Sequence, residues 1–369
     1  MVADGRGDEV RDNVRIVDAC PRAGHVADAL RERGTGTVPH RRHGPLVTRL
    51  ERMLLTTRRV AARALALEPD VVQLHDPELL PAGLRLQRAG IHVVFDAHED
   101  VPTQLLDKPY LAPFAARLLS AAYARYERYA CARLDGVLAA TPHIRMRLEA
   151  YNARTLDVAN YPLADEFVPA TDDETNGEPR LEVCYVGSIS AIRGIRELVQ
   201  ACDLLRTPVT LALAGDFSEP ALAAEVAALP GWSRVCPLGH LDRSGVAQIM
   251  RRACVGLVTL LPTASYLDAL PVKMFEYMAA GIPVVASDFP RWRAIVETSD
   301  CGLCVDPSDP AAIAAAIDRL AGDPELARRM GANGRRAVEQ RYNWRHEAQK
   351  LVRFHADLCR HPLAHRLAL

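Results

Sequence analysis

Two doubly wound α/β domains are predicted by three observations. From about residue 70, uninterrupted apolar runs of strand length alternate with amphipathic helical stretches. The alternation breaks once, in the acidic segment "YPLADEFVPATDDETNGEPR" (161–180), which carries three Pro and one Gly and has no periodicity. It then restarts in the same form. Strands that are apolar along their whole length must be covered on both faces, and helices placed between successive strands of a parallel sheet do this. The 369 residues also exceed one ordinary core and suit two domains of roughly 150–200 residues each. The expected organisation is a first domain over 1–160, a linker over 161–180, a second domain over 181–340, and a C-terminal helix over 341–369 free to pack back on the first domain. In such sheets ligands lie outside the carboxyl ends of the strands, here in a cleft between the two domains.

The chain opens with charged residues, and "NVRIVDA" (13–19) is the first credible strand. A doubly wound domain normally begins with a strand, a glycine-rich turn and a helix. Two readings are open: the first strand–helix unit is missing from this version of the sequence, or the first domain is natively smaller. Between Arg31 and Arg63 nine Arg stand against two Glu, and the stretch 41–63 can form a basic helix with Leu46, Leu50 and Leu54 in one stripe. Such a helix suits an anionic membrane surface or, as readily, the solvated outside of an α/β domain. Liposome co-sedimentation at low and high salt separates the two. The strands of the first domain follow at "VVQLH" (71–75), "IHVVFDAH" (91–98), "GVLAAT" (136–141) and "TLDVAN" (155–160). Those of the second are "LEVCYVG" (181–187), "VTLALAG" (209–215), "ACVGLVTL" (253–260), "IPVVAS" (282–287) and "CGLCVD" (301–306).

Composition narrows the function. A net charge of −1 argues against a dedicated nucleic-acid binder. No run of 18 apolar residues is present and the first residues lack an apolar signal region, so a cytoplasmic protein is expected, either free or peripheral on the inner face of the membrane. Nine scattered Cys suit reduced thiols; Cys301 and Cys304 form a lone CxxC, better read as small residues entering a strand than as a zinc site. Of 45 basic residues only three are Lys: Lys108, Lys273 and Lys350. A Lys kept in so Arg-rich a background suggests a task for a compact point charge in place of a planar fork.

Candidate site residues cluster at strand ends of the second half. In "YVGSISAIRGI", Gly187 ends a strand, Ser188 occupies the turn and Arg193 opens a helix. That arrangement offers an anion backbone N–H groups and one cation, although on this stretch taken singly a capped helix with a surface Arg is the better reading. Gly215 ends the next strand, and Gly239 with His240 follows a short strand where a nucleobase could rest, or where the chain merely turns. Asp242 or Ser244 caps the next helix. In "LDALPVKMFEYMAAGIPVVASD", Pro271 suits a first helical turn, and Lys273, Glu276 and Tyr277 share one face of the helix. Lys273 at the positive end of that helix could hold a diphosphate, and Glu276 could accept hydrogen bonds from a ribose diol. The alternative is an ordinary surface ion pair. In the first half, "FDAHEDVP" brings Asp96, His98, Glu99 and Asp100 to a strand end beside His75, Asp76 and Glu78 of "LHDPELL". Asp76 reads first as a helix cap, and Thr141 touches ligand or caps its helix. Two His among acids raise the question of a metal, but the spacing matches no closed zinc site.

Taken together, "YVGSISAIRGI", "LALAG", "LPVKMFEYMAAGIPVVASD" and "CGLCVDPSDPAAIAAAI" resemble the donor domain of the retaining GT-B glycosyltransferases of family 4, and "LHDPELLP", "FDAHEDVP" and "ATPHI" resemble a bacterial subgroup of it. The likeness runs from about residue 10 to the end. It implies two Rossmann-like domains and transfer of a sugar, expected to be a hexose, from a nucleotide-diphosphate donor to a hydroxyl acceptor, lipid-linked or polysaccharide, with retention. It implies no metal and no cofactor beyond the donor itself. The family's two acids separated by seven residues are matched by Asp268 and Glu276, with Asp in place of the usual Glu at the first position. Glu276 would bind the ribose and His98 would touch the transferred sugar. Where the family commonly has an Arg and then a Lys after the strand-end glycine, this chain has Ser188 and Arg193, and Lys273 is expected to make up the charge. Catalytic candidates are thus His98, Asp268, Arg193 and Lys273; donor-binding candidates are Gly187, Ser188, Arg193, Gly215, His240, Lys273 and Glu276. A nucleotide-sugar epimerase, told apart by its needing no acceptor, and a non-catalytic nucleotide-sugar-binding protein remain the rival readings.

Overall fold

The computed structural model describes residues 57–108, 111–169 and 181–360, together with the backbone of 9–11 and 14–16. The chain divides into one unit made of 1–105, 111–157 and 352–369 and a second made of 106–110 and 158–351. Among the described residues no helix is long and apolar enough to cross a membrane.

The second unit is built on six parallel strands: β7 (Glu182–Val186), β8 (Thr210–Ala214), β9 (Val235–Gly239), β10 (Ala253–Val258), β11 (Val284–Ser287) and β12 (Gly302–Val305). They lie in the order β12-β11-β10-β7-β8-β9. Counted from β7 this is 3-2-1-4-5-6, so the direction of winding reverses between β7 and β10, where a doubly wound sheet opens a crevice at its carboxyl edge. The continuous apolar run of β10 is buried at every position, as its sequence requires. One core layer, with Met274, Phe275, Tyr277 and Trp292, lies on one face; another, with Ile195, Leu198, Ile313 and Ile317, lies on the other.

Two glycines let the loops at the reversal point close on each other. Gly194 (φ +72°) ends a short 3-10 turn, Ala191–Arg193, before the helix Ile195–Leu204, and a Cβ there would stand 2.2 Å from the Thr259 carbonyl oxygen after β10. Gly215 (φ +145°) follows β8, and its Cβ would stand 2.0 Å from the carbonyl oxygen of Gly187. Only a residue without Cβ permits either approach.

Among the described residues the first unit carries a four-stranded parallel sheet in the order β3 (Val71–Leu74), β4 (His92–Ala97), β5 (Gly136–Ala139), β6 (Thr155–Asp157). The expected strand over 13–19 has a different place. Val14–Ile16 (β2) pairs antiparallel with Glu9–Arg11 (β1) in a separate two-stranded ribbon, outside the parallel sheet. Three paired residues on each side, joined by a two-residue connection, make a local hairpin, for which neighbouring residues suffice. Of the basic stretch 41–63, residues up to 56 lie outside the described residues; 57–66 is helical. Of the expected linker, 170–180 lies outside them as well.

Asp76 stands at the N-cap of the turn Pro77–Leu79 without a side-chain capping bond. Thr141 does cap, its Oγ1 accepting from the Ile144 amide at 3.2 Å. Cys301 and Cys304 are free thiols, and Cys304 lies within β12, in keeping with the small-residue reading.

Candidate functional site

Lys273 lies in the first turn of the helix Val272–Ala279, behind Pro271 at the N-cap. Its neighbours Met274, Phe275, Tyr277 and Met278 are fully buried, which pins the helix and aims residue 273 along the carboxyl edge of the sheet. The stem is partly open, whereas the ammonium Nζ is buried and has no hydrogen-bond partner. It rests 3.7 Å from the centre of the Tyr185 ring, a cation–π contact with the last fully buried residue of β7. It also lies 3.5 Å from the point where Gly187 would carry a Cβ, and Arg193 Nη1 lies 3.7 Å from the same point. Two cations therefore converge on the glycine just after β7, on the strand where the order reverses. Burial, and next the charge of Arg193, push the Lys273 ammonium down to about 7. The positive end of the helix acts in the same direction. An unpaired amine held beside a second cation is costly to charge, and an anion arriving between them would remove that cost.

The surroundings are built to hold this geometry. The Tyr185 hydroxyl donates to the Ser188 carbonyl at 3.0 Å, and Arg193 Nη1 donates to the same oxygen at 3.3 Å. Ser188 thus contributes its carbonyl, while the residue itself is exposed. The amide of Gly187 donates to the Ala214 carbonyl at 2.9 Å, and that of Gly215 to the Gly239 carbonyl at 2.8 Å, which ties the three strand ends together. Tyr277, beside Glu276, accepts from the Val186 amide at 2.9 Å through its hydroxyl. Its ring occupies the space over Gly256, where a Cβ would meet it at 2.3 Å.

Glu276 is 8 % exposed. Its Oε1 accepts from Arg243 Nη1 at 2.6 Å, and Arg243 in turn bonds Glu166 at 2.7 Å. Arg243 begins the helix Arg243–Arg252, whose cap is Asp242: its Oδ1 accepts from the Gly245 amide at 2.8 Å. Asp242 is therefore the cap, with the Ser244 hydroxyl donating to it.

The remaining candidates of the second unit have charged partners of their own. His240 Nδ1 lies 3.7 Å from Asp216 Oδ2, both side chains being largely exposed, at the ends of β9 and β8. Asp268, at the C-cap of the short helix Ala264–Leu267, lies 3.7 Å from Arg291 Nη2.

His98 belongs to the first unit, just beyond β4, and here spatial neighbours count for more than chain neighbours. The parallel register pairs Gln73 with Val94 and Leu74 with Phe95. One further step sets His75 beside Asp96, with Gln73, His75, Asp96 and His98 all on one face of the sheet. His75 Nδ1 lies 3.1 Å from His98 Nε2 and 3.2 Å from Asp96 Oδ2; His98 Nε2 lies 3.5 Å from the same oxygen. Asp100 faces elsewhere: it accepts from the Thr103 hydroxyl at 2.9 Å and lies 3.3 Å from Arg147 and 3.4 Å from His143.

Sequence reasoning did not single out Tyr185, Arg243 or Glu166. Tyr185 reads as one more apolar strand residue, and Glu166 lies in the segment taken for a linker. No local pattern marks either one, because their roles depend on Lys273 and Arg243, which are far away in sequence.

Comparison with known proteins bears on both halves. Residues 9–158 match the family model described as Glycosyltransferase Family 4, and residues 180–323 match the model described as Glycosyl transferases group 1. A phosphatidyl-myo-inositol mannosyltransferase of Mycobacterium leprae is 30% identical over 215 residues, covering 57% of this chain and 55% of that protein. An alpha-D-kanosaminyltransferase of Streptomyces kanamyceticus is 28% identical over 56% of each chain. The chain spans about half the length of the curated relatives it matches. Among solved structures, a sucrose-phosphate synthase from Thermosynechococcus elongatus superposes with a TM-score of 0.70 at 20% identity, covering 97% of this chain and 86% of that one. The Anabaena HepE protein in complex with UDP does so with a TM-score of 0.65 at 17% identity, covering 82% of each.

Proposed function

The chain belongs to glycosyltransferase family 4 and has the GT-B type of fold, and from that premise we propose that it transfers a sugar, a hexose, from a nucleoside-diphosphate donor to a hydroxyl acceptor with retention of configuration, in polysaccharide or glycolipid assembly. The observation that carries this reading is the buried, partnerless ammonium of Lys273 converging with Arg193 on Gly187. A pyrophosphate is the anion that suits two cations this close. The glycine leaves room for it, and the reversal of strand order puts it in the crevice where doubly wound sheets take phosphates.

The same groups serve the chemistry. Breaking the bond between the anomeric carbon and the pyrophosphate leaves negative charge on the phosphate oxygens. Lys273, whose ammonium is already buried, and Arg193 meet that charge where it develops and need no reorganisation to do so. Side-chain cations thereby do what a divalent ion does in other transferases, so the transfer step as proposed uses no metal. Glu276 would accept hydrogen bonds from the ribose diol. Arg243, now bonded to it, holds the carboxylate in place in the absence of donor. Retention follows if the acceptor oxygen attacks the face from which the pyrophosphate departs and the departing phosphate takes the acceptor's proton. For His98 and Asp268 we retain the roles that the resemblance implies, contact with the transferred sugar.

A thermal-shift panel of nucleoside diphosphates and their sugars tests the reading. At least one base should raise the melting temperature through ligand linkage, and Lys273→Ala and Glu276→Ala should each remove most of that rise with little change in the unliganded melting point. Absence of a shift with every member of the panel, or full shifts in both variants, would refute it.

A further inference from the structure

The helix Pro113–Cys131 of the first unit buries small residues and exposes large ones. Ala116, Ala130 and Cys131 are buried, together with Glu127, whereas Phe114 is 78% exposed, Leu118 63% and Tyr129 43%. A helix laid on a sheet normally does the reverse, since its large apolar side chains are the ones that gain most from burial. Large apolar side chains gathered on an exposed face mark a contact surface.

The charges of the same helix are sorted too. At about 100° per residue, Arg117, Arg128, Phe114, Arg125, Leu118 and Tyr129 fall, in that order, within an arc of about 120°. All three Arg are exposed. The helix has one carboxylate, Glu127, on the opposite side, where it is 0% exposed and paired with Arg147. Arg133, in the turn after the helix, adds another exposed cation, its guanidinium 3.6 Å from the centre of the Tyr129 ring. The outward strip is thus apolar where the helix starts and cationic, with one aromatic ring, where it ends. It runs about 22 Å and carries no carboxylate of the helix.

We propose that this strip docks on an anionic lipid membrane. Phe114 and Leu118 enter the boundary of the acyl chains, Tyr129 lies at the level of the headgroups, and Arg117, Arg125 and Arg128 meet lipid phosphates. A dissolved polyanion would need the cations but not Phe114 and Leu118. A second copy of the chain, docked by the same face, would set three Arg against three Arg. A lipid interface supplies both chemistries at once along the length of one helix. The strip is a different element from the basic stretch 41–63. Its sequence, "FAARLLSAAYARYERYACARL", reads as one more helix covering a sheet, because apolar residues recur on both sides of it; only the packing shows which of them face out. The proposal concerns the first unit alone and stands or falls separately from the diphosphate site of the second.

Co-sedimentation of the full chain with mixed phosphatidylglycerol and phosphatidylcholine vesicles, against vesicles of phosphatidylcholine alone, tests it. The chain should partition to the anionic vesicles at low salt and less at high salt. Each Arg near an anionic surface is worth about fivefold in partitioning, so Arg125→Gln combined with Arg128→Gln should weaken binding about 30-fold. Phe114→Ser should weaken it at least about tenfold. All three positions are exposed, so circular dichroism and the nucleotide thermal shift should stay native, which separates loss of docking from loss of fold or of the donor site. Equal binding to neutral vesicles would overturn the proposal, and no binding to anionic vesicles would overturn it in favour of an acidic protein partner. Native binding in both variants would also overturn it, and would move membrane affinity to the stretch 41–63.

Discussion

If a pyrophosphate docks on Lys273, binding must take up a proton above neutral pH. The reason is the environment of Nζ: burial first, and Arg193 second, hold the ammonium at about 7 in the free protein. A base with a lowered folded-state value is disfavoured in its charged form, so between pH 7 and its ordinary value the unfolded chain holds a proton that the folded chain does not. This group therefore adds stability as pH rises through that window. A bound dianion reverses the preference and restores the charge. With a value near 7, about 0.9 of the amines are neutral at pH 8 and about 0.1 at pH 6, so binding should take up about 0.9 proton at pH 8 and about 0.1 at pH 6. Apparent affinity should fall about tenfold over the same interval. The ligand should be the nucleotide sugar that gives the largest thermal shift, because its diester pyrophosphate has no group titrating in this range, whereas a free diphosphate does. The assay is calorimetry at pH 6 and pH 8 in buffers of different ionisation enthalpy, where the slope of observed against buffer enthalpy counts protons. A slope near zero at pH 8, or the native slope retained in Lys273→Ala, would refute the reasoning.

Two further predictions concern the supports of the sheets. Gly215→Ala forces φ +145° on a residue with a Cβ and drives that atom to 2.0 Å from the Gly187 carbonyl oxygen; urea unfolding should show a loss of at least about 1–3 kcal/mol from backbone strain. Gly239→Ala, at φ +64° with nothing within 4 Å, should cost only the strain, about 1–2 kcal/mol, and less than Gly215→Ala, which adds the clash; a Gly239→Ala cost larger than that of Gly215→Ala would contradict the close approach. In the first unit, Arg147 pairs with Glu127, which is 0% exposed and whose carboxyl is raised chiefly by burial. Arg147→Ala should destabilise by about 3–5 kcal/mol at pH 8. The loss should shrink at pH 5, where the stranded carboxyl can take up a proton more readily in the folded than in the unfolded chain; a pH-independent loss would place the cost elsewhere.

How much of this was legible beforehand depends on how local each cause is. Strand positions followed from apolar run length and helix starts from Pro and capping residues, so β7, β8, β10, β11 and β12 lie where expected to within about two residues. The opening strand over 13–19 is there as Val14–Ile16, but its pairing with Glu9–Arg11 was not legible, because a short apolar run cannot declare whether it pairs with a neighbour or joins a distant sheet. Lys273, Arg193 and Gly187 could be named from a strand–turn–helix pattern and from the scarcity of Lys. What their side chains do could not. The Nζ rests on the ring of Tyr185, from a strand almost ninety residues earlier, and Glu276 is bonded by Arg243, 33 residues before it and on another helix.

The sequence by itself therefore determined the α/β class, the order of the elements and which residues stand at strand ends, since periodicity and turn chemistry act over a few residues. Only the tertiary structure decided which of those residues meet, which amine loses its water and which two strands set His75, Asp96 and His98 on one face, because desolvation and strand register are properties of groups brought together from far along the chain.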